Sequence, residues 1–374
     1  MNHIILNSKH FFSKHLDLKS VLRILLVMLL AGIALTPVQI ALAAGTYTVN
    51  RADDIAPRGA GVTCITAAST DCTLREAVIK ANANPGSTIQ FAASLNGTPI
   101  VLTRTGNDAT ASAGDLDINA NTTITGNGSA NTIIQGAADS NYTNSIQDKI
   151  FGINQDGTFN SLTVSFSGLT IRYGDNNVPN GDSTFAYTGG GVDVFQTGTG
   201  NSASFTDVVI SFNRNRNSYG GGLNFDQGLG ASGNLSLTNV TFDSNKTEGL
   251  TGGQSTGGAL NIFGTNGTVT INNSTFTNNL TMPTTSGGGA IYFRPTTNMN
   301  LLIHNSDFNG NTSGGNGGGI YVNIPAAGAA GSIVTIDQGT QIRNNVSGGV
   351  SGGSAGGTRS ISWWRHFDNY PNTP

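Results

Sequence analysis

The sequence predicts an all-β protein, a right-handed parallel β-helix built as a single-stranded solenoid of about seven or eight coils with a short N-terminal capping helix. Three observations favour this fold. Only 10% of the 374 residues are charged while 52 are Gly, one stretch has helical apolar spacing, and one phrase of glycine, strand and asparagine recurs. Apolar residues recur throughout and Gly has no period of three, which excludes a disordered chain and collagen.

Residues 1–43 have the pattern of a secretory leader. A basic start precedes an unbroken apolar run at Ile24–Leu35, and Ala41 and Ala43 supply small residues at a cleavage site. The run is too short to span a membrane, although an uncleaved anchor is the alternative. Cleavage would lower the formal net charge from −3 to about −6, because four basic residues and Asp17 are lost. We therefore expect a secreted or cell-surface protein that is not integral to a membrane after cleavage.

The two cysteines of the chain follow this leader closely. Cys64 and Cys72 are expected to form a disulfide, because an exported chain folds in an oxidising compartment. Two unpaired thiols are the alternative. A metal site would require further ligands, and no histidine is near them in the sequence.

One amphipathic helix is predicted after Cys72. A single apolar stripe contains Leu74, Ala77, Val78 and Ala81. Thr73 is placed to cap the first turn, and Glu76 lies three residues later, as a capping box requires. We expect Arg75 and Glu76 to be surface charges, and the helix to cover the first coil as a lid. The cap as a whole is assigned to residues 44–87.

The same residues carry a resemblance. "CTLREAVIKANANPGSTIQF" resembles the CSLREA motif near the start of many exported bacterial proteins, with Thr73 where the motif has Ser. The segment "GDLDINANTTITGNGSANTIIQG" at Gly114–Gly136 resembles the part that follows it in such proteins. The resemblance implies export and a right-handed parallel β-helical body.

The repeat occupies most of residues 88–357, the predicted β-helix. Aligning the Gly-Gly-apolar anchors gives Val192, Leu223, Leu260, Ile291 and Ile320, at steps of 31, 37, 31 and 29 residues. Each unit is long enough for about three short strands, or one coil, and its length varies in the loops. A β-sandwich or a propeller is the alternative, but propeller blades need about 40 residues and four strands.

A second repeated phrase places an aromatic residue three positions before an asparagine. Its members are Phe212…Asn215, Phe242…Asn245, Phe276…Asn279, Phe308…Asn311 and, with an aliphatic residue, Ile342…Asn345. Stacked coils lie about 4.8 Å apart, so we expect an internal phenylalanine stack and an asparagine ladder at a turn. Ile262, Ile291 and Val322 are expected to line another wall, and the Gly-Gly pairs to supply positive φ.

The paired words of these repeats, over residues 189–345, resemble those of chlamydial polymorphic membrane proteins. That family consists of surface-exposed β-solenoid adhesins. The resemblance therefore implies a surface role with contacts to extracellular partners.

The sequence offers few candidates for catalysis. Asp115 and Asp117 alternate onto one side of a strand, and Asp175 and Asp182 lie in a long loop near Arg172. A lyase needs carboxylates for Ca²⁺ and a basic residue, and a hydrolase needs carboxylates facing one cleft. Scattered Asp residues are usually turn formers, and His304 is read as a strand residue. We predict no catalytic residues and no cofactor or metal site, with a polysaccharide lyase or glycoside hydrolase as the alternative.

A structural, adhesive or binding role is the preferred prediction. Polar loops rich in Thr, Ser, Asn and Gly suit contact with an extracellular glycan or a surface protein. A structural Ca²⁺ ion is compatible with the sequence, although it contains no EF-hand or glycine–aspartate nonapeptide pattern. No basic footprint for nucleic acid is present.

The last residues depart from the repeat. The glycine-rich run Val346–Gly357 leads towards another anchor, but residues 358–374 contain both tryptophans, Trp363 and Trp364, and no further repeat word. This atypical tail is interpreted either as a C-terminal cap or as a frameshifted or truncated end. The second interpretation is favoured because the break falls inside the anchor.

Overall fold

The computed structural model describes residues 44–58, 64, 71–106, 108–155, 159–177, 188–196, 198–228, 230–249, 255–282, 287–324 and 331–348. The predicted leader, Asp182 and the tail at residues 358–374 lie outside these ranges. Within them, no helix is both long enough and apolar enough to cross a membrane.

The described chain is almost entirely β-structure, with one α-helix and a 3₁₀ turn at Ala93–Leu95. In chain order the elements are β1 Thr46–Val49, α1 Leu74–Ala83, β2 Ser87–Phe91, β3 Ile100–Val101, β4 Leu116–Ile118, β5 Thr122–Thr125, β6 Ile133–Gln135, β7 Phe151–Ile153, β8 Thr163–Arg172, β9 Asp175–Asn176, β10 Val192–Gln196, β11 Asn201–Ser211, β12 Arg214–Asn215, β13 Leu223–Gln227, β14 Gly233–Thr238, β15 Thr241–Asp243, β16 Lys246–Thr247, β17 Leu260–Asn272, β18 Thr275–Thr277, β19 Leu280–Thr281, β20 Ile291–His304, β21 Asp307–Asn309, β22 Thr312–Ser313, β23 Ile320–Val322, β24 Val334–Ile336, β25 Gln341–Arg343 and β26 Val346–Ser347.

Three faces of parallel strands wind into a β-helix of about seven turns. Face A contains β1, β2, β5, β14, β24 and parts of four longer strands. Face B contains β3, β6, β15, β18, β21 and β25, and face C contains β4, β7, β10, β13 and β23. Strands β8 and β11 bend from face A to face B, and β17 and β20 bend from face C to face A. This arrangement confirms the predicted fold and rules out the sandwich and the propeller.

The core is a set of apolar rows that run from coil to coil. On face A, Phe166 and Phe205 stack with ring centroids 4.9 Å apart and planes 4° apart. Residues of the interior rows in the middle coils, such as Leu237 and Ile271, are fully buried. Each such side chain contributes on the order of 1.5–3 kcal/mol relative to an exposed one.

The glycine anchors set the register of face C. Val192, Leu223, Leu260, Ile291 and Ile320 are successive partners in one row, as the sequence alignment predicts. The first Gly of the anchor, represented by Gly257, has φ +62. A Cβ on the second, Gly258, would lie 2.3 Å from the carbonyl oxygen of Gly289 in the next coil. The anchor therefore requires Gly both for its conformation and for the close approach of two backbones.

One predicted wall is out of register. Ile262 pairs with Phe293, which pairs with Val322, so these three residues form the row. Ile291 belongs to the neighbouring row, two residues earlier along the strand. The prediction of Ile291 in this row was wrong because the anchor residue was chosen where Phe293, two residues later, is the partner of Ile262. A difference of two residues keeps a side chain on the same side of a strand.

The N-terminal cap consists of α1 and the segment before it. The helix buries Leu74, Ala77 and Val78 and packs on β1, β2 and β4. Thr73 forms the predicted capping box with Glu76. Sulfur atoms of Cys64 and Cys72 are bonded, which confirms the predicted disulfide.

Arg75 and Glu76 are buried, which corrects the prediction that they are surface charges. Arg75 is only 1% exposed and binds both carboxylate oxygens of Asp54, at 2.6 Å and 3.0 Å. Its guanidinium also donates to the carbonyl oxygens of Ala111, Gly114 and Asp115. Glu76 pairs with Arg58 in addition to its capping role. Arg75 thus ties the helix to the loop before β4, a role that helical periodicity does not reveal.

Candidate functional site

The repeated phenylalanines and asparagines form two adjacent columns. Phe242, Phe276 and Phe308 are fully buried on face B, with ring centroids 4.8 Å and 4.5 Å apart and planes within 8° of parallel. Ile210 precedes them in the same row and Ile342 follows them. This column packs the interior and leaves no surface for a ligand.

The asparagine ladder stands beside this stack. Its members are Asn213, Asn245, Asn279, Asn311 and Asn345. In each step the side-chain Oδ1 accepts both the backbone N–H and the Nδ2 of the asparagine one coil before, at 2.8–3.1 Å. The same Nδ2 also donates to a face B carbonyl oxygen of the preceding coil. Buried amides satisfied in this way hold the coils in register.

The first unit departs from the predicted ladder, and both predicted residues need correction. Phe212 is 39% exposed and outside the stack, and Asn215 is buried in β12 rather than in the ladder. The true pair is Ile210 and Asn213, which keeps the same spacing two residues earlier. Phe212 has φ +53, at the corner that Ser244 and Asn278 occupy in later coils with φ 55. This corner turns the ring outward, which the aromatic pattern alone could not indicate.

Asp115 and Asp117 lie in a buried cluster of charged groups. Asp115, Asp117, Asp148, Lys149 and Asp193 have no exposed surface or at most 1%. The Nζ of Lys149 lies 3.3 Å from Oδ1 of Asp148 and 3.6 Å from Oδ2 of Asp115. We call these five residues the lysine–aspartate cluster. The cluster lies on the outer side of face C, in the N-terminal coils of the β-helix.

Polar neighbours support only part of this cluster. Gln155 donates to Oδ2 of Asp115 at 3.3 Å. Thr188 and Asn224 donate to the two oxygens of Asp193, at 2.6 Å and 2.8 Å. Within the described chain, Oδ1 of Asp115, Oδ1 of Asp117 and Oδ2 of Asp148 have no hydrogen-bond partner.

Burial controls the protonation of these acids. It raises the pKa of Asp115 well above the usual range, and it also raises the pKa values of Asp148 and Asp193, while Lys149 opposes these shifts. Burial raises the pKa of Asp117 to about 7, although a hydrogen bond from the Ala111 backbone opposes the shift. At neutral pH the cluster therefore holds shared protons beside a lysine whose own pKa the carboxylates raise against the effect of burial.

Asp175 lies in a different environment, at the row of short strands that begins with β9, β12 and β16. Arg214 and Arg216 each make two hydrogen bonds to its carboxylate, including 2.9 Å contacts to Oδ2. Burial would raise the pKa of Asp175, but the two guanidinium groups hold it below its usual range. Asp175 is therefore a fixed anion that orients two arginines.

Aromatic rings extend this site across the surface. The Arg214 guanidinium lies 3.8 Å from the ring centroid of Tyr142, and the Lys246 ammonium lies 5.8 Å from it. The Tyr142 hydroxyl donates to the carbonyl oxygen of Phe212, whose ring lies 6.0 Å from that of Tyr173. Arg172 lies 4.9 Å from the Tyr173 ring.

We call this surface the arginine–tyrosine patch. Its members are Tyr142, Arg172, Tyr173, Asp175, Phe212, Arg214, Arg216, Lys246 and Glu248. It carries four cationic side chains against two carboxylates, on a chain with a formal net charge of −3. Rings with polar edges beside fixed guanidinium groups suit a ligand that offers flat apolar faces, hydroxyls and anionic groups.

Of the remaining sequence candidates, His304 is not brought together with either site, whereas Arg172 joins the arginine–tyrosine patch. His304 lies on β20 and pairs with Asp337 at 3.1 Å, with about 40% of its side chain exposed. Arg172 donates to the side-chain oxygen of Gln135 as well as joining the patch. Within the described ranges, no three acidic, histidine or cysteine side chains are arranged to hold a metal ion.

Sequence reasoning missed most of both sites. Asp148 and Lys149 lie in a loop outside the repeated phrases, and Tyr142 is distant in sequence from Arg214, whose guanidinium it contacts. One signal was available: Arg214 and Arg216 alternate within "FNRNRN", so that both lie on one side of a strand, as Asp115 and Asp117 do.

Comparison with known proteins adds little to this geometry. No protein-family model matches the chain, and a search of curated proteins found no match. Among solved structures, the chain is similar to a pectin methylesterase mutant in complex with a hexasaccharide, at 15% identity and a TM-score of 0.28. The match covers 63% of this chain and 62% of that chain, so it spans less than two thirds of the other protein. A likeness of this size carries no argument about the reaction or the ligand.

Proposed function

We propose that the protein is an exported β-helix protein that acts by binding, and that the arginine–tyrosine patch binds an extracellular glycan bearing anionic groups. The leader pattern and the resemblances to CSLREA-motif and polymorphic membrane proteins support export and a surface location. The disulfide between Cys64 and Cys72 is compatible with an oxidising compartment. The proposal needs no cofactor.

The observation that carries the ligand class is the concentration of cations over aromatic rings in an acidic chain. The side chains of Arg214, Arg216 and Lys246 are 15%, 27% and 31% exposed. Asp175 fixes both arginines, so little side-chain entropy is lost when a ligand binds. The exposed ring of Phe212 can stack on a sugar face, while the guanidinium groups pair with carboxylates or sulfates.

Catalysis is less well supported by the arrangement of the acids. In the described chain, the aspartates of the lysine–aspartate cluster are at most 1% exposed, so a polysaccharide has no access to them there. Asp175 is paired with two arginines, which removes its capacity to act as a base. The lyase or hydrolase alternative therefore rests on fold resemblance alone.

A polysaccharide panel tests the proposal. The purified protein is incubated with acidic and neutral polysaccharides, with and without Ca²⁺, while bound glycan and released fragments are both measured. We expect binding to acidic polysaccharides that weakens as salt rises, because exposed charges are screened. Release of fragments, or equal binding to neutral glycans at all salt concentrations, would contradict the proposal.

Two pairs of variants locate the binding surface. Phe212→Ala should lower affinity by roughly two- to tenfold, since an aromatic contact contributes about 0.5–1.5 kcal/mol. Phe159→Ala is the matched control, because that ring is also 39% exposed but belongs to a different surface. Lys246→Gln should weaken binding and its salt dependence, while Lys80→Gln on helix α1 should change neither.

A further inference from the structure

The lysine–aspartate cluster places an amine against a carboxyl group in a site without solvent. Lys149 and Asp115 have side chains that are both 0% exposed, and Nζ lies 3.6 Å from Oδ2. Asp115 directly precedes β4, and Lys149 comes two residues before β7 in the next coil of face C. A second carboxyl group, that of Asp148, lies 3.3 Å from the same Nζ.

We propose that this cluster is an intramolecular cross-linking site, at which the Nζ of Lys149 condenses with Cγ of Asp115 to form an amide. The ammonium group first gives one proton to the Asp148 carboxylate. The neutral amine then attacks Cγ of the Asp115 carboxylic acid, and an N–C bond forms. A second amine proton passes to the departing hydroxyl, the C–O bond breaks, and one water molecule leaves. No oxidant or external group is required.

The surroundings assign each group its part in this step. Oδ1 of Asp115 has no hydrogen-bond partner among the described residues, so it is the oxygen placed to leave. Gln155 donates to Oδ2, which polarises the carboxyl group and supports the negative charge that develops on that oxygen. Reacting groups held in contact without water can reach effective molarities of about 10⁵ M or more.

Protonation supports the same assignment. Burial raises the pKa of Asp115, so its carboxyl group holds the proton that makes Cγ electrophilic. The neighbouring carboxylates raise the pKa of Lys149, so the amine loses its proton only to a base in contact with it. Asp148 is such a base. Its Oδ1 also accepts a hydrogen bond from the backbone N–H of Lys149.

Asp115 is a better acceptor than Asp148. Asp148 and Lys149 are neighbours in sequence, so an amide between their side chains would close a small ring across one peptide bond. An amide to Asp115 closes a loop between consecutive coils and joins their backbones covalently. Such a bond would lock the N-terminal coils beside the cap that Cys64 and Cys72 already fasten.

Peptide mapping of the full chain tests the proposal. The protein is denatured, reduced and digested with trypsin, which cleaves after Arg104, Lys149 and Arg172. An acylated Lys149 resists cleavage, so we expect the peptide Thr105–Arg172 intact and lighter than its sequence by one water molecule. Cleavage after Lys149 with both products at full mass would overturn the proposal. Loss of water combined with cleavage at Lys149 would also overturn it, because a succinimide does not protect lysine.

Variants separate the bond from a simple ion pair. Asp115→Asn should give the same cross-linked peptide as the wild type, now by loss of ammonia. Asp148→Asn keeps both reacting groups but lacks the base. Trypsin should therefore cleave after Lys149, and both resulting peptides should have the full mass of their sequences. Cross-linking of Asp148→Asn to the wild-type extent would overturn the assigned role of Asp148. The Lys149→Arg peptide, cleaved at the new arginine, gives the uncross-linked reference mass.

Discussion

The side-chain oxygen of Asn279 accepts two hydrogen bonds from Asn245, one from its backbone N–H and one from its Nδ2, both at 3.0 Å. Asn279 repeats the relationship with Asn311 one coil further on. Each asparagine is thus acceptor to one coil and donor to the next. A column of this kind fixes the vertical register of the coils, which the apolar rows alone would leave free to slip.

Replacing Asn279 with Ala should destabilise the protein by about 3 kcal/mol or more. The change removes the acceptor of the buried backbone N–H of Asn245, one of the two acceptors of its Nδ2, and a donor to the carbonyl oxygen of Phe242. Each buried polar group left unmet costs about 1–3 kcal/mol. Denaturant unfolding measures the loss. The exposed Asn298 provides the control, because Asn298→Ala breaks no ladder contact. Equal stability of the two variants would mean that the ladder contributes nothing.

The phenylalanine stack predicts a second loss of stability. Phe276 is fully buried, with a stacked ring on each side, so Phe276→Ala should cost about 3–5 kcal/mol through lost burial and a cavity. The same substitution at the half-exposed Phe212 should cost far less. A loss below about 1 kcal/mol for Phe276→Ala in denaturant melts would contradict its interior position.

The second glycine of an anchor should not tolerate even a methyl group. In Gly258→Ala the new Cβ would lie 2.3 Å from the carbonyl oxygen of Gly289 and 2.6 Å from the nitrogen of Leu280, and both are backbone atoms. We expect a loss of about 1–3 kcal/mol in thermal or denaturant unfolding. Gly319→Ala is the matched control, since its nearest neighbours lie at 3.2 Å and Ala290 fills the equivalent place one coil earlier. Similar melting of both variants would refute this account of the anchor.

Stability should fall as pH rises through the neutral range. Folded Asp117 keeps its proton up to about pH 7, whereas an unfolded aspartate loses it near about pH 4. The folded state therefore binds more protons between these values, so the free energy of unfolding declines across this window and stays lower above it. Below about pH 4 the paired Asp175, whose pKa is lowered, has the opposite effect. Unfolding at about pH 5 and about pH 8 measures the difference.

Asp117→Asn should reduce that difference, because its amide keeps the acceptor for the Ala111 N–H but cannot titrate. Asp139→Asn should leave the stability difference between the two pH values unchanged. Hydrogen bonds from Thr143 lower the pKa of Asp139, so its carboxyl group titrates only at more acidic pH. Greater wild-type stability at about pH 8 than at about pH 5 would show that burial does not govern Asp117.

The repeated parts of the fold could be predicted from sequence because residues of the same kind recur at equivalent places in several coils. The anchor residues Leu223 and Leu260 occupy equivalent places, and so do Phe242 and Phe276. Errors arose where a unit contains two candidates two residues apart, as at Ile210 and Phe212, because both spacings preserve the alternation of a strand. Only the backbone corner at Phe212 distinguishes them.

The candidate sites could not be predicted in this way, because they are made from residues that occur once. Tyr142 meets Arg214 from a loop about two coils earlier, and Asp54 meets Arg75 across the cap. Such contacts depend on the paths of individual loops, and the repeated sequence pattern carries no information about those paths. Burial of Arg75 likewise depends on carbonyl oxygens supplied by the loop before β4.

The direction of the asparagine ladder has a mechanical consequence. Its hydrogen bonds and those of the strands run from coil to coil, so a pull on the two ends of the solenoid stretches one interface at a time rather than shearing many together. The outermost described coil, where Ile320 and Val334 are only half-buried, would peel first, and each later coil would follow as a separate event. A unit of 31 residues released in this way lengthens the chain by roughly 110 Å at full extension. The molecule would therefore yield to tension in successive steps of 29 to 37 residues, as a tether that dissipates force gradually.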